Sequence, residues 1–131
     1  MIEGENSKRY DLEDRTLRFA TSVRNFVRKL PKTISSIEDA KQLVRSSGSV
    51  GANYIEACEA LSKKDFLMRI KICRKEAKES GYWLNLLETP SIDLDKEKKV
   101  LIQEATELKK SLAPSLQSLN FIIWIFILNI V

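Results

Sequence analysis

From Ile37 to Leu61 the chain keeps a three-and-four spacing of apolar or small residues straight through a glycine-serine stretch. Ile37, Ala40, Val44, Ser47, Gly51, Tyr54, Cys58 and Leu61 fall on one line of an α-helix. A loop has no reason to hold that phase, so the spacing predicts a continuous helix through Arg45–Ala57. Glycine costs a helix interior about 1 kcal/mol relative to alanine. Gly48 and Gly51 must therefore be offset by close packing on a neighbouring helix, which makes the stretch a seam rather than a phosphate-cradling loop. Gly48-Ser49-Val50-Gly51 has the GxxG form of a KH nucleic-acid loop, but that loop works in a mixed helix and sheet domain. The Gly-Lys-Ser/Thr ending of a P-loop is missing.

The rest of the chain repeats the helical pattern. Residues 1–10 are polar and without periodicity, and read as a flexible N-terminal tail. Asp11 then offers an N-cap, and Leu12, Thr16, Phe19, Val23, Phe26 and Leu30 form a stripe that ends at Pro31. Ser36 with Asp39 offers the cap of the second helix, and Ser62 with Asp65 that of the third. The third stripe is Phe66, Ile70, Cys73, Ala77, Gly81, Leu84 and Leu87, stopped at Glu88-Thr89-Pro90. Ser91 or Asp93 caps a fourth helix with Leu94, Leu101, Ala105, Leu108, Leu112 and Leu119 on its stripe and a kink at Pro114. Short connections force consecutive helices to be neighbours, so the expected fold is all-α, an antiparallel up-down-up-down four-helix bundle over residues 11–119. With 131 residues and 44% hydrophobic content, one core is expected and two independent domains are not. Residues 120–131 then form an apolar C-terminal extension of helix four. Its Phe121–Leu128 run is too short for a membrane span, which needs about twenty apolar residues, and fits a subunit interface or, equally, a non-native or truncated C-terminus.

Several chemistries are disfavoured. Histidine is absent, which removes the commonest general base and metal ligand together, and a ferritin-like di-metal site would need Glu-x-x-His. Cys58 and Cys73 sit on core stripes in no metal or redox spacing, and no apolar signal-peptide core opens the chain. The expectation is a non-enzymatic protein of a reducing cytoplasm, with no cofactor, no metal and no catalytic residue.

Two polar groupings remain. On the outer line of helix three lie Lys64, Lys71, Lys75, Lys78 and Tyr82, with Arg74 at its edge, opposite the core stripe. From Ser62 to Pro90 the basic residues Lys63, Lys64, Arg69, Lys71, Arg74, Lys75 and Lys78 outnumber Asp65, Glu76, Glu79 and Glu88, so this segment supplies most of the formal net charge of +4. A basic line ending in an aromatic can neutralise phosphates and stack a base, or can simply be solvated. The second grouping flanks the core: Arg45, Asn53 and Glu56 on helix two, with Arg69, Glu76, Glu79 and Trp83 on helix three. Without a recognisable catalytic partner set, these are expected to be structural, fixing register between helices beside Gly48 and Gly51.

The run Ser49-Val50-Gly51-Ala52-Asn53-Tyr54-Ile55-Glu56-Ala57, followed by Phe66, Ile70 and Glu79-Ser80-Gly81-Tyr82-Trp83-Leu84, resembles the bacterial four-helix-bundle family associated with intervening sequences in 23S ribosomal RNA genes. The likeness covers roughly residues 10 to 115; the apolar end after Leu119 departs from it. It implies a homopentameric ring without established enzymatic activity. A related branch, the accessory protein of diversity-generating retroelements, binds nucleic acid and a reverse transcriptase. The resemblance thus favours RNA or DNA binding through helix three; the alternative is a protein-protein scaffold, for example for a reverse transcriptase, without direct nucleic-acid contact.

Overall fold

The computed structural model describes residues 2–113, with side chains from Asp11 onward. Four helices follow one another: α1 (Ile2–Arg28), α2 (Ile34–Cys58), α3 (Lys63–Leu86) and α4 (Ile92–Ser111). No strand occurs among the described residues. Each helix packs on the next in sequence and α4 returns to α1, which closes an antiparallel four-helix bundle. The α2–α3 contact is the most extensive and the α4–α1 contact the sparsest.

α1 starts at Ile2, so Asp11 lies inside it and does not cap it, and residues 2–10 continue the helix upstream. Polar residues suffice there, because most of them are good helix formers and only Gly4 opposes the helix. The cap of α2 is Thr33 rather than Ser36: the Thr33 hydroxyl accepts the Ser36 amide at 3.2 Å. Ser62 and Ser91 cap α3 and α4 in the same way, accepting from the Asp65 and Leu94 amides. Asp93 and Asp95 place negative charge in the first turn of α4, while Lys109 and Lys110 place positive charge in its last, both favourable to the helix dipole.

The core joins Phe19, Val23 and Phe26 of α1 to Leu43, Val50 and Tyr54 of α2, Ile70, Cys73, Ala77 and Leu84 of α3, and Leu101, Ala105 and Leu108 of α4. Each large apolar side chain fully buried here contributes about 1.5–3 kcal/mol. α2 is continuous through its glycines, as its periodicity predicts, but its buried line is Ala40, Leu43, Ser46, Ser47, Val50, Tyr54 and Ala57. That line is rotated by about one residue from the expected stripe. Ile37 is 41% exposed and Leu61 lies fully exposed in the α2–α3 connection. On α3 the buried line takes Ser80 in place of Gly81. The position of Leu119, the kink at Pro114 and the apolar extension lie outside the described residues.

Candidate nucleic-acid interface

The α2–α3 seam decides which side of α3 faces outward. At its centre the hydroxyls of Ser46 and Ser80, both fully buried, meet at 2.9 Å. Ser80 also lies 2.8 Å from the Glu76 carbonyl one turn back, which gives the buried hydroxyl an acceptor within its own helix. Small side chains let the two helices approach, and the paired hydroxyls satisfy each other where water cannot enter.

Beside this contact, the Arg45 guanidinium reaches across to two carboxylates, Glu76 at 3.4 Å and Glu79 in a shorter bond. The Trp83 indole N–H donates to the same Glu79 oxygen at 3.2 Å. Partial burial pulls the Glu79 carboxyl upward, but the Trp83 and Arg45 hydrogen bonds together with the Arg45 charge outweigh it and hold it below the ordinary glutamate range. The Glu79 hydrogen bond in turn raises Arg45. Lower on the seam, Arg69 donates to the Asn53 side-chain oxygen at 3.0 Å, while the Asn53 amide donates to the Ser49 carbonyl at 2.8 Å. Arg45, Glu76, Glu79 and Trp83 thus form one group, Asn53 and Arg69 a second, and Glu56 is exposed in neither.

The two glycines of α2 face the other neighbour. A Cβ on Gly51 would lie 2.9 Å from Thr16 Oγ1 and 3.2 Å from Thr16 Cβ, and one on Gly48 would lie 3.3 Å from the Arg24 guanidinium. They make the α1–α2 seam, whereas Ser46 and Ser80 make the α2–α3 seam. The serine pair escapes a reading based on apolar stripes, although two small residues at core phase on adjacent helices are the signal that finds it.

With one flank of α3 committed to α2, its outer face carries Lys64, Lys71, Lys75 and Lys78, all exposed, and Tyr82 at 58% exposure. Tyr82 meets Trp83 edge-on at 5.0 Å. Arg74 is half-buried at the margin of that face. None of the four lysines forms an ion pair with an acid among the described residues, because Glu76 and Glu79 are taken by Arg45. The result is a line of uncompensated positive charge about 20 Å long from Lys64 to Lys78.

Other chemistry finds little footing. Burial pushes the Cys73 thiol up to about 12, far from a reactive thiolate. Among the described residues no group of three His, Cys, Asp or Glu is placed to hold a metal ion, and no helix is long and apolar enough to cross a membrane.

The sequence matches the 23S rRNA-intervening sequence proteins over residues 5–114. The chain belongs to that family. Among solved structures, this 23S rRNA-intervening sequence family member is similar to a protein of unknown function from the S23 ribosomal protein family of Bacteroides thetaiotaomicron. The two share 32% identity at a TM-score of 0.67, over 80% of this chain and 94% of the other. A search of curated proteins finds no match.

Proposed function

We propose that this family member is a non-enzymatic, self-assembling helical bundle that binds RNA or DNA through the basic outer face of α3. The observation that carries the reading is the exposed line of Lys64, Lys71, Lys75 and Lys78, without acid partners among the described residues and ending at the exposed ring of Tyr82. Such a line meets the physical requirement for sequence-tolerant binding: cations along a phosphate backbone and an aromatic face on which a base stacks. Half-buried Arg74 extends the charge at its edge. Affinity for a labelled oligonucleotide should fall steeply with salt. Changing Lys71, Lys75 and Lys78 together to Glu should abolish binding while circular dichroism and light scattering stay unchanged; undiminished binding by that folded variant overturns the proposal.

A second reading, an accessory scaffold for a protein partner, is favoured by an open apolar groove of about 400 Å³ between the end of α1 and the start of α2. Val27, Leu30, Pro31, Ile37, Ala40 and Val44 line it. Association through this groove would be insensitive to salt and lost in Ile37→Glu, opposite to the pattern expected for nucleic acid.

A further inference from the structure

The buried line of α3 has two flanks. One holds Arg69, Glu76, Glu79 and Trp83, whose bonds to Asn53 and Arg45 turn it toward α2. At roughly 100° per residue, Arg74, Lys78 and Gly81 fall on the opposite flank. That flank faces α4, the other helix on which α3 packs extensively. α4 is oriented by the same reasoning. Glu97 and Glu104 bond to Lys29 and Arg15 of α1, so Lys98, Ile102 and Lys109 lie toward α3. The Lys98 ammonium indeed donates to the Leu87 carbonyl at 2.8 Å. The α3–α4 edge therefore gathers Arg74, Lys78, Lys98 and Lys109.

Four of the five acids of α4 are engaged away from this edge. Glu104 and Glu97 are held by α1, Asp95 pairs with Lys99 and accepts from Thr89, and Glu107 accepts from Gln103. Within the edge, Arg74 Nε is buried and has no hydrogen-bond partner among the described residues, although the side chain as a whole is only half-buried. A buried N–H of a charged group without an acceptor is uncommon, because its lost hydration goes uncompensated. An Nε with no accessible surface admits no outside partner, so the side chain offers a ligand its end, where the two Nη nitrogens can grip an oxyanion through two parallel hydrogen bonds. Two turns along the same flank, a Cβ on Gly81 would meet nothing within 4 Å among the described residues, so they leave the edge open there.

We infer that Arg74 anchors the nucleic acid by holding one backbone phosphate of a single strand at the α3–α4 edge. Lys71 and Lys78 of α3 and Lys98 and Lys109 of α4 take the neighbouring phosphates. A polyanion suits this surroundings better than a lone carboxylate, which would neutralise one of five cations and leave the rest. A single strand suits it better than a duplex, because the exposed ring of Tyr82 needs an unpaired base to stack on. The inference rests on the function proposed above and moves the strand from the crown of α3 toward its α4 side.

Binding of a fluorescently labelled single-stranded oligouridine to the full chain, read by anisotropy, tests it. Arg74→Gln should weaken binding by about tenfold or more, the loss of one charge-assisted bidentate contact. Arg74→Lys should leave much of that loss, since an ammonium keeps the charge but not the fork. Lys75→Gln, on the side of the face turned away from α4, should cost only about two- to threefold, as one peripheral phosphate charge. Arg74→Gln no weaker than Lys75→Gln, or Arg74→Lys equal to wild type, overturns the anchor. Should Arg74→Gln lose its helical signal, Arg74→Lys decides alone. If the triple lysine reversal abolishes binding while Arg74→Gln does not, the proposed function stands and the anchor falls; a wild-type chain that fails to bind removes both.

Discussion

Two glycine-to-alanine changes in this bundle should move stability in opposite directions. A Cβ at Gly51 would come within 2.9 Å of Thr16 Oγ1, closer than side chains pack. Thr16 cannot readily yield, being 1% exposed with its hydroxyl donating to the Glu13 carbonyl at 2.9 Å. Overpacking of this kind costs about 1–3 kcal/mol, while alanine recovers about 1 kcal/mol of helix propensity. Gly51→Ala should therefore be destabilised by about 1 kcal/mol, lowering the melting temperature by roughly 4 °C for a domain of this size. At Gly81 the added methyl meets nothing within 4 Å among the described residues, so Gly81→Ala should gain about 0.5–1 kcal/mol and melt higher. Thermal melts followed by far-ultraviolet circular dichroism read both. The double variant Gly51→Ala/Thr16→Ala should lose less than the sum of its parts, since removing Oγ1 relieves the clash. A Gly51→Ala protein that melts at or above wild type, or strict additivity in the double variant, refutes the close α1–α2 approach.

Further outcomes follow from the charged and thiol groups. Because the folded Glu79 carboxyl lies below its ordinary range, its contribution is present above that range and is lost as pH falls through the folded value. The melting temperature should accordingly drop on acidification, with a shallower dependence in Arg45→Met. Arg15 holds Glu104 with two nitrogens at 2.6 and 3.3 Å across the sparse α1–α4 contact, so Arg15→Ala should cost about 0.5–1 kcal/mol in denaturant melts, less at high salt. A thiol-reactive dye should label half-buried Cys58 before buried Cys73 in the native protein, with both labelled alike after unfolding. Light scattering should give a mass several times the 15.0 kDa of one chain if the ring implied by resemblance forms.

The four helices were legible because each carries an apolar stripe strong enough to phase it, and Ser62, followed by Asp65, announces the start of α3. The rotation of α2 was less so. Ala40, Ser46, Ser47, Gly51 and Ala57 are all small, so two adjacent lines fit the spacing equally well, and only contact with Thr16 on one side and Ser80 on the other chooses between them. The start of α1 was hidden because polar helix formers without an apolar face leave no periodic trace. Thr33 is the less conspicuous cap, because the acid at Asp39 makes Ser36 resemble a capping box. At the interface, the lysine line could be read from helical phase alone. That Glu76 and Glu79 do not neutralise it could not, since their pairing with Arg45 depends on how two helices are rotated against each other.

The uneven packing around the bundle also bears on how it forms. Among the described residues every extensive contact joins helices adjacent in the chain, and the sparse α1–α4 contact joins the first helix to the last. Little loop-closure entropy opposes the early steps, so folding should be fast. On a ribosome, α1, α2 and α3 can assemble in order of emergence, with α3 already docked through its serine and arginine contacts. α4 then arrives as a lid, and the α3–α4 edge comes into being only when synthesis of the bundle is all but done.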